Sequence, residues 1–311
     1  MNYFHVVFTI DHLVNLLALW NAALIYNLLF QTASATLKAF GHKYLGGEIG
    51  FVGVLHTWGQ DLGLHIHLHF IVAAGALSKD GLKWRSSSKD FLFPIVELSA
   101  YFRDAFCDGI DDLYGNGDLT LEGNSEGIED PEKWDAMVSE MRSKKWEVYA
   151  KEPFGGPEKV LDYMGRYVHR VAISNHRFIA VEDGKVRFNF RDNRNDGELK
   201  EMSLSAEKFI GRFLQHVLPS GFVRIRYYGF LQGRRREEKL KIIRKLLGVS
   251  AERVKQIKET IEELYERLTG VDLRVCPICG KGRMIRKLRL KPEKYGKTAP
   301  MEDMIAFREA A

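Results

Sequence analysis

The chain has 311 residues, enough for about two domains with sizeable cores, and its 45% hydrophobic and 28% charged residues are typical of a globular protein. These fractions exclude a disordered, collagen-like or multi-span membrane protein. The formal net charge of +5 is unevenly spread, because residues 1–223 carry 23 basic and 29 acidic side chains, whereas residues 224–311 carry 23 basic and 12 acidic ones. A basic tail on an acidic body favours a polyanionic partner, most often nucleic acid, although a solvated basic helix alone would explain part of the asymmetry.

The cysteine count and one apolar stretch bear on the compartment. Three cysteines cannot form a disulfide framework in a chain of this length, so we expect a reducing compartment, the cytoplasm.

Residues 13–37 have no formal charge and could suggest a membrane span or a signal peptide. Asparagine and glutamine interrupt this stretch, however, and no positively charged segment precedes it. We therefore predict a buried core helix.

The first part of the chain predicts one strand before this helix and an antiparallel pair of strands after it. Residues 3–10 form a β-branched and aromatic run that is typical of a strand. A second strand is expected over 51–58, and residues 64–72 alternate strictly between polar and apolar side chains, which is the strand period. The short loop 59–63 between them favours antiparallel pairing.

The rest of the chain alternates helices and hairpins. The acidic, glycine-rich segment 104–135 predicts a surface insertion or mobile loop. The other predicted elements are, in order, a helix from Pro157 through Tyr163 and Tyr167, a hairpin over 177–191 turning at Asp183-Gly184, a helix over 205–217 capped by Ser205, a strand over 222–230 and a helical stretch over 234–269.

Three histidines at alternate positions indicate a metal site. His65, His67 and His69 project from one face of the predicted strand, so their rings can converge on one point. Neutral imidazole is a common ligand of divalent metals. The alternative is a solvent-facing polar strand face, for which threonine or lysine would serve equally well. His56, on the neighbouring strand, is a candidate for a further ligand, with Gln60 as its substitute.

Two tyrosines and two arginines share the predicted helix after Pro157. Tyr163 and Tyr167 are four residues apart, so both phenols lie on one face, with Arg170 one turn later and Arg166 adjacent. Tyrosines at helical spacing usually pack in a core, but cationic side chains beside them are not typical of a core stripe. Paired phenols with cations suit a phosphodiester substrate.

Together these motifs resemble those of the HUH nucleases, which pair a histidine-hydrophobic-histidine strand with one or two helical tyrosines. His67-Leu68-His69 resembles the first motif, and Tyr163 with Tyr167 resembles the two-tyrosine subclass. The surrounding sequence is similar to that of rolling-circle transposases of the insertion-sequence ninety-one family, over roughly residues 3–247. The segments that carry this similarity are YFHVVFTI, VLHTWGQDLGLHIHLHFIV, YAKEPFGGPEKVLDYMGRYVHRVAISN and LQHVLPSGFVRIRYYGFL.

The resemblance implies a fold and a mechanism. We expect an α+β fold, with a central antiparallel sheet flanked by helices as catalytic domain (1–233) and a basic helical tail (234–311). The family implies Mg²⁺ or Mn²⁺, held by His67 and His69 with His56 as the third ligand or His65 as a less typical one. Ligand chemistry alone would equally accept Zn²⁺, Co²⁺ or Ni²⁺. The implied reaction is cleavage and transfer of single-stranded DNA through a 5′-phosphotyrosine linkage.

Two departures from the family concern zinc. Its members generally carry a cysteine-rich zinc-binding domain before the catalytic strand, whereas this chain begins almost at that strand, so we expect a truncated start or a shortened relative. Cys276 and Cys279 form half of a zinc-knuckle pattern. Two interpretations stay open: a zinc site that ligands from another chain would complete, and a degenerate remnant of such a site.

Arginines and aromatic residues alternate where the basic tail begins. Such a mixture neutralises phosphates and stacks on unpaired bases, although a solvated or self-associating helix is the alternative for residues 234–269. The predicted DNA-binding residues outside the tyrosine helix are Arg224, Arg226, Arg234, Arg235 and Arg236.

The main hypothesis is thus a DNA transposase that acts on single-stranded element ends and targets, and that is cytoplasmic and nucleoid-associated. A rolling-circle replication initiator or relaxase would share its chemistry. A non-catalytic single-stranded DNA-binding remnant and, more weakly, a histidine-metal hydrolase or oxygenase are alternatives of other classes.

Overall fold

The computed structural model describes residues 2–88, 92–125, 127–154, 172–192, 197–249, 260–276 and 279–284. Its internal contacts divide the chain into two units, Met1–Ala251 and Glu252–Ala311. None of the helices in the described ranges combines the length and apolar character that a bilayer crossing requires.

An antiparallel sheet forms the centre of the first unit. Its strands are β1 (Tyr3–Thr9), β2 (Gly47–Trp58), β3 (Leu64–Ser78), β4 (Trp84–Ser86), β5 (Val148–Phe154) and β9 (Ile225–Gly229). They pair in the order β5-β1-β3-β2-β9, and β4 pairs with the end of β3. The strands predicted over 3–10, 51–58 and 64–72 are confirmed, and the longest of them, β3, lies in the middle of the sheet, where both its edges are paired.

Helices cover one face of this sheet. They are α1 (Asn15–Ala18), α2 (Ala22–Leu45), α3 (Ile95–Gly115) and α4 (Pro131–Ser143). Phe8 contacts Phe70 and Phe102 edge to face, and all three rings are buried. Burial of each such ring stabilises the fold by about 1.5–3 kcal/mol relative to exposure. The uncharged stretch predicted as one buried core helix forms α1 and α2, in which Leu17 and Phe30 are buried, whereas Trp20 between the two helices is exposed. The α+β prediction is confirmed.

In the acidic segment 104–135, only the described connection between Gly115 and Pro131 is the loop that the composition suggested, because the residues before and after it are helical. Residues up to Gly115 continue α3, in which Phe106 and Ile110 are buried. The carboxylates of Asp108 and Asp111 lie on the outer side of that helix and bind the guanidinium of Arg142 on α4. The loop prediction was wrong here because acidic residues supply the solvent face of an amphipathic helix, whose apolar residues are sparse but regularly spaced.

A smaller sheet accompanies the main one. It consists of β6 (Phe178–Glu182), β7 (Lys185–Asp192) and β8 (Glu198–Ser205), in that order, followed by helix α5 (Ala206–Leu214). The predicted hairpin turns at Asp183 (φ 51°) and Gly184 (φ 69°), the left-handed pair that a tight two-residue turn requires. The Ser205 hydroxyl accepts from the Lys208 N–H, which confirms the predicted cap.

The smaller sheet anchors the loop between β2 and β3. Leu62 has a left-handed backbone (φ 62°), and its side chain is fully buried in the apolar core of the small sheet with Ile173 and Phe188. Arg177 donates to the carbonyl of Gln60, and Arg212 donates to the next carbonyl of the loop. The loop that joins the histidine-bearing strands is thus held at both its backbone and its apolar tip.

The basic region contains two helices in its described parts, α6 (Arg236–Leu246) and α7 (Ile261–Thr269). Helix α6 belongs to the first unit, where Ile243 is buried beside Phe230 and Leu77. Helix α7 lies in the second unit and begins with a capping box between Thr260 and Glu263. The division of function at residue 233 stays a prediction.

Candidate metal centre

The pairing of β2 with β3 places three histidines on one face of the main sheet. His56 lies directly opposite His67, and Val54 lies opposite His69. Since successive side chains on a strand point to opposite faces, His56, His67 and His69 share the face that α2 and α3 do not cover. Central strands of a twisted sheet hold such side chains with little freedom.

The three rings converge closely enough to bind one ion. Each offers one nitrogen, and these nitrogens all lie within 4.8 Å of one another. The Nε2 atoms of His67 and His69 are 3.0 Å apart, and all three side chains are buried. Three imidazole nitrogens in one buried cluster fit a divalent cation.

The protonation state of His67 suits this role. Burial, followed by the neighbouring His65 and His56 rings, lowers the pKa of His67 to about 3. Its Nδ1–H donates to the carbonyl oxygen of His65 at 2.7 Å, because a carbonyl can only accept. The Nε2 lone pair therefore faces His69, and no proton has to leave His67 near neutral pH before it binds a cation.

His65, the less typical of the predicted ligands, lies outside the triad. Its side chain is exposed, and its ring centroid lies 4.8 Å from that of His67. Its backbone carbonyl, in contrast, fixes the tautomer of His67. His56 is thus the third member that the structure brings together, and Gln60, its sequence-based substitute, lies in the β2–β3 loop and lines the cleft described below.

His5 is a member of this cluster that sequence reasoning missed. It lies on β1, next to β3 in the sheet, and its side chain is only 1% exposed. Its Nε2 lies 2.8 Å from Nδ1 of His69. A single histidine inside the otherwise apolar and aromatic run of β1 was the available signal, but the β1–β3 register needed to interpret it is not readable from the sequence.

The triad opens into a cleft of about 930 Å³ between the main sheet and the small one. Arg177 and Arg191 contribute positive charge to its wall, and Glu147 contributes negative charge. Its other polar and aromatic lining residues include Thr9, Trp58, Tyr149, Ser174, His176 and Asn189. A cleft of this size, with buried histidines at its base and cations on its wall, suits an extended anionic substrate.

The predicted tyrosine helix falls outside the described residues, so Tyr163, Tyr167, Arg166 and Arg170 stay predictions. The described chain ends before this segment at Phe154, whose strand pairs with β1, and resumes after it at Ala172, which lines the cleft.

The predicted DNA-binding arginines differ in their surroundings. Arg224 donates from Nε to the Leu55 carbonyl, and its guanidinium lies 5.1 Å from the Trp58 ring centroid. Arg226 donates to the side chain of Asn27 and lies 4.1 Å from the ring centroid of Phe30. These contacts connect β9 and the residue before it to β2 and α2.

The three consecutive arginines at the start of α6 are exposed instead. Arg235 forms a surface ion pair with Glu238, and the guanidinium of Arg236 lies 5.4 Å from the ring centroid of Tyr227, whose side chain is 44% exposed. Arg234 is exposed as well. This surface combines positive charge with an accessible aromatic ring.

The two cysteines of the second unit occupy a short turn. The Gly280 N–H donates to the Cys276 carbonyl, and the Gly282 N–H donates to Sγ of Cys279 at 3.3 Å. Backbone N–H groups of Lys281 and Gly282 lower the pKa of the exposed Cys279 thiol. Such donors favour a thiolate, as in zinc-binding turns, but two sulfur ligands are half of a structural site and the zinc assignment stays a prediction.

Comparison with known proteins identifies the class. The model of a transposase family, described as "Putative transposase", matches residues 50–239, which span the histidine strands, the small sheet and the start of α6. The chain belongs to this family of transposases. No solved structure matches it.

Two curated relatives extend the similarity. The chain is 46% identical over 287 residues to "Putative transposase y4qJ" of Sinorhizobium fredii, which covers 91% of this chain and 72% of the relative. It is 29% identical over 233 residues to "Transposase for insertion sequence element IS801" of Pseudomonas savastanoi pv. phaseolicola, which covers 74% of this chain and 54% of that relative.

Proposed function

We propose that this transposase cleaves and transfers single-stranded DNA by the HUH mechanism, in rolling-circle transposition, with His56, His67 and His69 as metal ligands. The observation that supports this most strongly is the buried histidine triad at the base of a cleft in a chain that belongs to a transposase family. Transposition requires phosphodiester chemistry, and a cation held by the triad would stabilise negative charge on the phosphate.

The metal that we propose is Mg²⁺ or Mn²⁺. When bound, it would polarise the scissile phosphate and stabilise negative charge on its oxygens. The ring nitrogens of His56, His67 and His69 would hold the ion.

Tyr163 and Tyr167 are the proposed nucleophiles. The phenol oxygen of one tyrosine would attack the phosphorus and form a 5′-phosphotyrosine bond, while the bond from phosphorus to the 3′ oxygen breaks and that oxygen leaves as a hydroxyl after taking up a proton. The second tyrosine can then attack at the other end of the element. Ala172 lines the cleft only five residues after Tyr167, a separation of at most about 18 Å, which supports this placement.

The exposed arginines at the start of α6, Arg234, Arg235 and Arg236, are proposed to hold the DNA strand. We expect the R234A/R235A/R236A variant to bind a single-stranded oligonucleotide more weakly and to lower the slope of log K against log salt by about two, since each lost phosphate contact is worth ~0.7. Fluorescence anisotropy over a salt series measures both quantities. Its matched control is K79A/K133A/K208A, which removes three positive charges from exposed sites elsewhere. Equal salt slopes for the two variants would contradict the assignment.

The reaction itself is tested by covalent trapping. Single-stranded oligonucleotides that span the element's ends, labelled with different dyes at the 5′ and 3′ ends, are incubated with the full chain and Mn²⁺ and run on a denaturing gel. We expect the 3′ dye to migrate with the protein, the 5′ dye to appear in a shorter free strand, and EDTA to prevent both. Binding without any adduct, with Mg²⁺ or Mn²⁺, would contradict the proposal and favour a non-catalytic DNA-binding protein.

A further inference from the structure

Three imidazole rings form a hydrogen-bonded row that ends on a backbone carbonyl. Nε2 of His5 lies 2.8 Å from Nδ1 of His69, and Nε2 of His69 lies 3.0 Å from Nε2 of His67. Nδ1 of His67 lies 2.7 Å from the carbonyl oxygen of His65. Every one of these distances is within hydrogen-bond range, and all three rings are buried.

The carbonyl at the end of the row determines the direction of its first bond. His67 donates from Nδ1, so its Nε2 carries a lone pair in the neutral ring. In the metal-free protein, the Nε2–H of His69 therefore donates to His67, and the Nδ1 of His69 accepts from the Nε2–H of His5. This arrangement gives each of the three contacts one donor and one acceptor, but it places a proton where a cation would bind.

A bound cation requires the opposite tautomer of His69. Its Nε2 must then present a lone pair, so its proton resides on Nδ1 and needs an acceptor. The atom that faces Nδ1 is Nε2 of His5, which accepts once the proton of His5 resides on its own Nδ1. The two arrangements contain the same number of protons, because each ring exchanges one tautomer for the other.

We propose that His5 is a positioning residue, which accepts the Nδ1–H of His69 and so directs the Nε2 lone pair of His69 to the metal. This inference rests on the proposed metal site. The packing of His5 agrees with it: the ring is nearly parallel to that of His69, with centroids 5.1 Å apart, and Tyr149 packs edge-on against it at 6.0 Å. The second partner of a metal-binding histidine commonly sets both its tautomer and its orientation.

The test is Mn²⁺ binding to the full chain, measured by isothermal titration calorimetry without DNA. We expect His5→Phe, which keeps a ring but removes the acceptor, to bind Mn²⁺ about 10–100-fold more weakly. His5→Gln places an amide oxygen near the position of Nε2 and is expected to bind within a few-fold of the unaltered protein. His5→Asn, whose shorter amide falls short of His69, is expected to bind as weakly as His5→Phe.

The Gln and Asn variants decide the question even if His5→Phe fails to fold, because both keep a polar side chain at this position. Thermal unfolding without metal checks that the variants compared are equally folded. Equal Mn²⁺ affinity for the Gln and Asn variants would overturn the role of His5 and leave the metal site intact. No Mn²⁺ binding by the unaltered protein would instead refute the metal assignment in the proposed function.

Discussion

Replacing both His67 and His69 by alanine is expected to lower the rate of DNA cleavage by about a thousandfold or more. A bound metal would stabilise the transition state by several kcal/mol, and each 1.36 kcal/mol corresponds to a factor of ten in rate. Two of the three converging nitrogens are lost in this variant, and His56 alone cannot hold a divalent ion. Single-turnover cleavage of a labelled oligonucleotide at saturating Mn²⁺ measures the effect.

His65→Ala is the matched control for this experiment. His65 lies on the same strand and has the same side chain, but it lies outside the triad and contributes its backbone carbonyl, which alanine retains. We expect cleavage within a few-fold of the unaltered rate. If His65→Ala were as inactive as the double variant, or if the double variant still cleaved, the assignment of the ligands would be wrong.

The second large effect concerns the nucleophiles. The Y163F/Y167F variant is expected to form no covalent protein–DNA adduct, because phenylalanine keeps the ring but lacks the oxygen that would bond to phosphorus. At least one of the single variants is expected to retain adduct formation. Denaturing gels of reactions with 3′-labelled oligonucleotide measure the adduct.

Tyr149→Phe is the matched control for the nucleophiles, since Tyr149 offers another phenol to the same cleft. It is expected to keep full adduct formation. An adduct that persists in Y163F/Y167F and disappears in Y149F would transfer the nucleophilic role to Tyr149.

The parts of this site that follow a short local period were predictable. Alternation along residues 64–72 predicted that His67 and His69 share one face, and the short β2–β3 loop predicted the antiparallel neighbour that carries His56. The choice between His56 and His65 as third member was not predictable, because it depends on which residue lies opposite His67. Register is a tertiary property, and a shift of one residue would turn His56 to the other face.

Non-local contacts explain what sequence reasoning missed. The role of His5 depends on the pairing of β1 with β3, over sixty residues apart in the chain. The contact of the Arg226 guanidinium with Phe30 of a distant helix was not readable from the sequence, and the DNA-binding role of Arg226 stays a prediction. The first part of the acidic segment was predicted as a loop, yet it forms the end of α3, whose apolar partners on α2 and β1 are distant in sequence.

Peptide mapping of the covalent adduct tests the central claim most directly. Trypsin cleaves after Lys159, Arg166 and Arg170, so it places Tyr163 and Tyr167 on separate peptides, 160–166 and 167–170. After nuclease trimming of the DNA, mass spectrometry is predicted to find a nucleotide on one or both of these peptides, and only in reactions that contained the metal. A nucleotide attached to any other peptide, or an adduct formed in EDTA, would contradict the account.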